Sequence, residues 1–580
     1  MPNFFKRLLN FVKRPPVLVC VYFAVLTCVM TYPVVFQMNK IIGGGGGDGT
    51  YFVWLIRWYQ KALFELHISP FFNPYLNYPQ GWYLASTDLT PAMVALALPA
   101  SLLFGPAWGF NFAILASFVL AGLGMYLWIR DLTGSDLAGV VAGTIYAYLP
   151  FHMAHYIVGH LSLSAMQWFP FYFWGLFKLL KQEKFSWRPI LLAGISIGLI
   201  GFSSPYYVYM TTLISGVFLA GFLVFRGYKR LKSPVFWKSL AAFGVITVAL
   251  VGLAMLPYLK LNSQGGLASR SVDYASRYSA SPTDFVLPSV WSFLWGKWVI
   301  SHFHPQFAHE ATLYIGIVSF TLLVIAWVRR RKLAHPELLW IASLAALSAF
   351  VLALGIDPHW LGAKVVSLPR ILQPLFHRTS MPEIHLPAYY LFLYLPFFSK
   401  MRVLMRFGLF TLVFTSLMAG LGAYTLLELF SSKTRSWVAV ILLVLVFVDF
   451  YPGPLMNMAP IKTSPAVAWL ATQPDTGAVA VFPFRDESSQ QGVYDTLVYD
   501  KPYLGGYFNA NQPEQYSRIY PTMDAFPSAE SVNLLKQLGV AYVVVDSSQY
   551  SDFPGADQAI QALGLRLLHV SGSDYVYGLP

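Results

Sequence analysis

Apolar runs of roughly 15 to 25 residues recur from the N-terminus to about residue 450, and each is long enough to cross a hydrocarbon core about 30 Å thick. The first, PPVLVCVYFAVLTCVMTYPVVF (Pro15 to Phe36), follows the charged stretch FFKRLLNFVKR. It is too long for a signal-peptide core and shows no clear small-residue cleavage site, so it reads as a retained first span. Directly after it comes IIGGGGGDGT (41 to 50), five glycines and one carboxylate. Four apolar segments follow, near 89 to 105, 108 to 129, 136 to 150 and 163 to 180. Pro150 ends the third, and proline interrupts a helix, so that segment is expected to be broken or re-entrant. A hairpin over Pro189 to Phe225 turns at Ser203-Ser204-Pro205-Tyr206-Tyr207. Further spans are expected near Phe243 to Leu259, Leu313 to Val328, Leu338 to Leu354, Val403 to Phe430 and Trp437 to Tyr451.

Beyond Tyr451 the pattern changes. PGPLMNMAPIKTSP is a proline-rich linker, and some 115 residues of ordinary polarity follow. GAVAVFPF (477 to 484) reads as a strand, SAESVNLLKQLG (528 to 539) as a helix capped by Ser528 or Ser531, and VAYVVVD (540 to 546) as a buried strand. The expected organisation is a multi-span membrane domain over 1–452, a linker over 453–465 and a small α/β domain over 466–580, with about 11 to 13 spans in all.

Composition agrees with the pattern. The 580 residues are 56% hydrophobic and 11% charged, against about 25% charged in soluble domains. The net charge is +13, but residues 453–580 hold 6 basic and 12 acidic groups, which leaves +19 on the membrane part. Much of that excess sits in short clusters between apolar runs: Lys178, Lys181, Lys184 and Arg188; Arg226, Lys229, Arg230 and Lys232; Arg329, Arg330, Arg331 and Lys332. Such clusters mark cytoplasmic loops, not a nucleic-acid footprint. They set the N-terminus inside and the C-terminal domain outside, which fits a prokaryotic plasma membrane. Cys20 and Cys28 both lie in the first run, so no cysteine metal site or disulfide framework is expected.

This topology puts Asp48 at the outer membrane face. The next residues, YFVWLIRWYQKALFELH, place Tyr51, Trp54 and Trp58 on one helical stripe and Arg57, Lys61 and Glu65 on another, the pattern of an amphipathic helix lying at headgroup depth. A retained first span, an acid opening the first outer loop, membrane-lying amphipathic helices, many further spans and a terminal outer domain resemble the GT-C superfamily of polytopic glycosyltransferases. The resemblance is best over about 1 to 170 and does not extend to the C-terminal domain. It implies an enzyme that takes a sugar from a polyprenyl-phosphate donor and passes it to a glycan, lipid or protein acceptor. It also implies that Asp48 is catalytic or metal-binding. The usual motif in that superfamily is a pair of nearby acids, whereas DGT has one.

Displacing a lipid phosphate from an anomeric carbon needs a carboxylate to take the acceptor proton and cations to stabilise the departing phosphate. Asp88, in YLASTDLTP, and Glu310, in HFHPQFAHEATLYIG, are the other outer acids; helix capping is the structural alternative for both. Arg402 and Arg406 are spaced i, i+4 at the start of an apolar helix and are expected to point into one cavity, where arginine binds phosphate oxygens bidentately. His152, His155 and His160 follow the Pro150 break, and His302, His304 and His309 sit beside Glu310. His152 and His155, three apart on one helical face, suit metal coordination or phosphate contact equally, and a divalent cation is a possible cofactor although no HExxH motif is present. Arg57 and Arg378 are further substrate-binding candidates, with Arg370, His377, Arg270 and Arg277 behind them. The aromatic and amide-rich LGGYFNANQPEQY (504 to 516) and FPFRD (482 to 486) have the composition of sugar-stacking loops. Two other functions share these residues, a transporter or lipid flippase and a nonenzymatic envelope-assembly protein. A transporter would place ionisable groups at bilayer mid-depth, where Asp449 is the one acid well inside an apolar run.

Overall fold

A computed structural model describes residues 15–45, 47–303, 307–367, 373, 379–380, 383–456, 458–474, 477–484, 489–508 and 512–580. Arg378, Arg370, His377, His304, Arg485 and Asp486, all named above, lie outside the described residues.

The chain is an integral multi-pass membrane protein, a bundle of apolar helices followed by a small C-terminal sheet domain. Five described helices are long and apolar enough to span a bilayer: Pro106–Thr133, Pro205–Phe225, Pro234–Ser263, Pro336–Ala353 and Leu404–Leu427. Four shorter apolar helices accompany them: Pro15–Met30, Pro91–Phe104, Trp187–Ser203 and Ile317–Val328. The suspected break at Pro150 is present. Asp136–Ala147 and Pro150–Ile157 form a pair bent by 40°, because Pro150 has no N–H to continue the ladder and starts a new helix instead. Helix Gly408–Leu427 is buried nearly all round and packs against Ile317–Val328, Pro336–Ala353 and Asp136–Ala147. A helix apolar on every side is what a bundle centre requires.

The C-terminal domain holds a four-stranded sheet in the order Ala478–Phe482, Val540–Asp546, Asp574–Gly578, Arg566–Ser571, the first pair parallel and the others antiparallel. The helix Ala529–Gln537 starts at Ser528, whose side chain accepts from the Ser531 amide in a capping box. Ile41–Ile42 pairs antiparallel with Ala459–Pro460, so the linker is tied back to the loop after the first helix.

The helix opening with Asp48 corrects one expectation. It runs Asp48–Gln60 with a π turn over Lys61–Glu65, but its aromatic stripe does not face headgroups. Tyr51, Trp54 and Trp58 are buried. Trp54 Nε1 donates to Thr496 Oγ1 at 3.1 Å, and the Tyr51 ring lies 5.0 Å from that of Tyr507. The C-terminal domain sits on this helix, giving the Trp54 indole a hydrogen-bond acceptor, while Trp58 Nε1 donates to the Pro70 carbonyl at 2.8 Å.

Candidate active site

The glycine run explains how Asp48 is placed. A Cβ on Gly43 would lie 1.9 Å from the Tyr156 carbonyl oxygen, and one on Gly49 would lie 1.8 Å from that of Gly43. Gly44 has φ +61° and donates its amide to the Ile157 carbonyl at 2.9 Å. Across the contact, Gly159 has φ +82° and would meet the Gly43 oxygen at 2.4 Å with a side chain. The glycines therefore let two backbones touch, which no larger residue permits. Their partner is the chain itself. Buried Asn111 holds the same turn by donating to the carbonyls of Met38 and Ile41, each at 2.9 Å.

This contact brings the turn after the broken span up to the acid. His160 Nε2 lies 3.1 Å from Asp48 Oδ2, while Tyr507 OH and Gln490 Nε2 donate to Oδ1 at 2.8 and 3.3 Å. Gly47 occupies the N-cap, and the Asp48 side chain takes no part in capping. Burial opposes ionisation of Asp48, but the bonds and charge of His160, with those of Tyr507 and Gln490, outweigh it and hold the carboxyl down at about 2. Asp88 behaves in the opposite way: burial and the Asp48 charge push it up to about 6, against the pull of Arg406, His160 and the Ser162 hydroxyl. Ser162 Oγ donates to Asp88 Oδ2 at 3.3 Å.

Glu310 and Arg406 form a buried ion pair. Arg406 Nε sits 3.0 Å from both carboxylate oxygens, and a second nitrogen, Nη2, donates to Oε1. Burial alone would favour the neutral acid, but Arg406 and His155 keep Glu310 ionised far below the usual carboxylate range. His155 joins the two carboxylate groups: its Nδ1 is 2.9 Å from His160 Nδ1 and its Nε2 is 3.9 Å from Glu310 Oε2.

Asp48, Asp88, His160, His309, Glu310, Arg402 and Arg406 line one cavity of about 390 Å³. A second, mostly apolar groove of about 410 Å³ runs between Pro205–Arg226 and Pro234–Ser263 and shares Asp88, Tyr206 and Arg402 with the first. Arg270 and Lys400 also face this groove, and Arg270 Nε is buried without a hydrogen-bond partner.

Four residues singled out in the sequence lie elsewhere. His152 is enclosed below the cavity, bonded to Ser117 and the carbonyls of Ala147 and Ser164 and stacked on Phe118, because its helical phase turns it into the bundle. Arg57 pairs with Glu65 eight residues on, since the π turn brings the two together. His302 lies exposed against Trp298. Asp449 accepts from Tyr314 OH and the Ile317 amide, both at 2.9 Å, and so caps the start of Ile317–Val328. Sequence reasoning missed Gln490, Tyr507, Ser162 and Tyr206 as site residues. Only Tyr507 stood in a stretch marked for chemistry.

His155, His160 and Glu310 offer ligand atoms within 4.8 Å of one another. Two imidazoles and a carboxylate suit a divalent first-row ion, and His155 Nε2, buried without a hydrogen-bond partner, is a free donor atom for one. The group fits a cation, with the Arg406 guanidinium already bonded to the same carboxylate.

No curated protein matches the sequence. Among solved structures, the fold is similar to the apo oligosaccharyltransferase of Archaeoglobus fulgidus (16% identity, TM-score 0.51, 93% of this chain and 70% of that one). It is similar to apo ArnT from Cupriavidus metallidurans (13%, TM-score 0.50, 96% and 97%). It also resembles the arabinofuranosyltransferase AftD from Mycobacteria (13%, TM-score 0.55, 97% of this chain and 41% of that one). A family model described as "Domain of unknown function (DUF6311)" matches residues 19–418, the part that carries Asp48, Asp88, Glu310 and both arginines. With that match over more than half its length, the chain belongs to the DUF6311 family.

Proposed function

We propose that this protein is a membrane glycosyltransferase that moves a sugar from a polyprenyl-phosphate donor to an acceptor hydroxyl or amide at the outer membrane face. The observation that carries this reading is the junction of the two cavities. An apolar groove between two long apolar helices meets a polar pocket at Asp88, Tyr206 and Arg402. A donor with a hydrocarbon tail, a phosphate and a sugar has the same order of chemistry along its length. The tail lies in the groove, the phosphate meets Arg402 and Arg270, and the sugar enters the polar pocket. ArnT and the oligosaccharyltransferase share the fold, which supports the reaction class.

In the step itself, the acceptor heteroatom attacks the anomeric carbon as the carbon–oxygen bond to phosphate breaks. The electron pair goes to the phosphate oxygen, where the arginines balance the added charge, and the acceptor proton passes to Asp48. Direct displacement inverts the anomeric centre. A carboxylate held at about 2 is a weak base towards a free hydroxyl. An attacked hydroxyl becomes an oxonium, however, far more acidic than a carboxylic acid, so late transfer to Asp48 is downhill. Asp88, at the junction, bears a charge that stabilises the positive sugar in the transition state when it is ionised. A divalent cation held by His155, His160 and Glu310 would add electrophilic assistance at the same pocket.

The test is transfer or hydrolysis by purified protein in nanodiscs with a panel of radiolabelled polyprenyl-phosphate sugars. At least one donor should turn over, and Asp48→Asn should lose on the order of 10²-fold or more while remaining folded. Undiminished turnover by Asp48→Asn would remove Asp48 as the base. Silence with every donor would favour a transporter or assembly role.

A further inference from the structure

A third cavity, about 610 Å³, lies where four helix ends meet: the last turns of Pro106–Thr133 and Trp168–Lys181, the first turn of Trp187–Ser203, and the residue before Pro336–Ala353. It is far from the candidate active site. Asn111, which anchors the turn beside Asp48, and Asp131, which lines this cavity, are on one helix. Twenty residues of α-helix separate them, about 30 Å or one hydrocarbon thickness.

The lining combines cations, a bare helix start and apolar surface. Lys178, Lys181, Arg188 and His335 face the space, against one acid, Asp131. Asp131 is committed to Lys178 Nζ at 2.8 and 3.0 Å and to Trp174 Nε1 at 3.0 Å. Lys181 Nζ contacts the His335 ring at 2.9 Å, and His335 in turn lies 3.3 Å from Glu337. Arg188 is exposed and makes no ion pair among the described residues. It sits in the first turn of Trp187–Ser203, where Ser186 supplies no side-chain cap, so the unpaired amides there add positive potential. Pro189 and Leu192 of this helix complete the apolar wall of the cavity, and on the adjoining face Trp187, Leu191 and Ile195, at i, i+4 and i+8, are 54%, 42% and 47% exposed, an apolar track beside the cavity.

We propose that this cavity binds the headgroup of an anionic glycerophospholipid from the leaflet opposite the candidate active site. Its phosphate meets Arg188, Lys181 and the start of Trp187–Ser203, and its acyl chains follow Trp187, Leu191 and Ile195. A basic pocket between helices at a membrane boundary is the arrangement that recognises such lipids, and the apolar track commits the site to a lipid over free phosphate. The inference is independent of the glycosyltransferase reading.

Purified full-length protein in detergent is titrated with phosphatidylglycerol and with phosphatidylcholine, following thermal unfolding. Phosphatidylglycerol should raise the melting temperature saturably and phosphatidylcholine should not. Arg188→Gln should raise the half-saturating lipid concentration about fivefold, as expected for one juxtamembrane cation, whereas Lys184→Gln, outside the cavity, should leave it unchanged. Equal shifts with both lipids, equal loss in the two variants, or the same shift from inorganic phosphate alone would overturn the site. If Arg188→Gln fails to fold, the comparison of lipids on the native protein still decides.

Discussion

Two carboxylates in one pocket have environments that push them apart, and this is the central residue-scale feature. Asp48 is held at about 2 by three donors and Asp88 is pushed up to about 6 by burial beside it. Between these values the pair carries one charge, and above about 6 it carries two. If the second charge stabilises the positive sugar, turnover should rise as pH passes upward through about 6. The reason is the sign of the shift: an acid raised by its surroundings gains its charge only above the raised value. A pH–rate profile should show this limb in the native protein and lose it in Asp88→Asn; a limb that survives the substitution assigns the titration elsewhere. Glu310 does not share this behaviour, because Arg406 grips both its oxygens. Neither member of that pair can be replaced singly without stranding a buried charge.

At the scale of elements, the glycine run and the broken span are one device. Pro150 starts a short helix that ends in a turn at His155 to His160, and the glycines let that turn close on the start of Asp48–Gln60. Gly43→Ala should therefore act at a distance. Its methyl group would overlap the Tyr156 carbonyl, push the two backbones apart and lengthen the Asp48–His160 bond. Turnover should fall at least tenfold, with a lower melting temperature, although residue 43 carries no chemistry. Wild-type turnover in Gly43→Ala would mean that the contact tolerates separation and that the glycines serve some other purpose. Neither half of this device could be read alone, because a glycine run is also the commonest flexible spacer.

At the scale of the whole molecule, the C-terminal domain is part of the pocket. It delivers Gln490 and Tyr507 to Asp48, covers Trp54 through Thr496, and pairs Asp500 with Lys61. Tyr507→Phe keeps the ring against Tyr51 but removes the 2.8 Å bond. It should cost about ten- to a hundredfold in kcat, the worth of one hydrogen bond to a charged group, with little change in folding. An unchanged kcat would reduce the domain to a cover over the Asp48 helix. The order of the chain hides this arrangement: 459 residues separate Tyr507 from Asp48, and no local pattern reports such a contact.

The sequence by itself determined what local physics controls. Long apolar runs with few charges require a bilayer, a proline without an N–H breaks its span, and the short valine-rich runs and the Ser528 cap fix elements of the terminal domain near their expected bounds. It also singled out Asp48, Asp88, Glu310, Arg402 and Arg406 as candidates, and the fold gathers these five in one pocket. Only the tertiary structure decided how they are partnered. It turned His152 into the bundle and closed Arg57 onto Glu65, set the two acids at opposite ends of the carboxylate range, and buried an amphipathic stripe under a domain where a membrane surface was expected. Amphipathicity records that one face is apolar and leaves open what covers it. Ionisation likewise depends on burial and on charges brought together by the fold, and both are properties of the packed molecule.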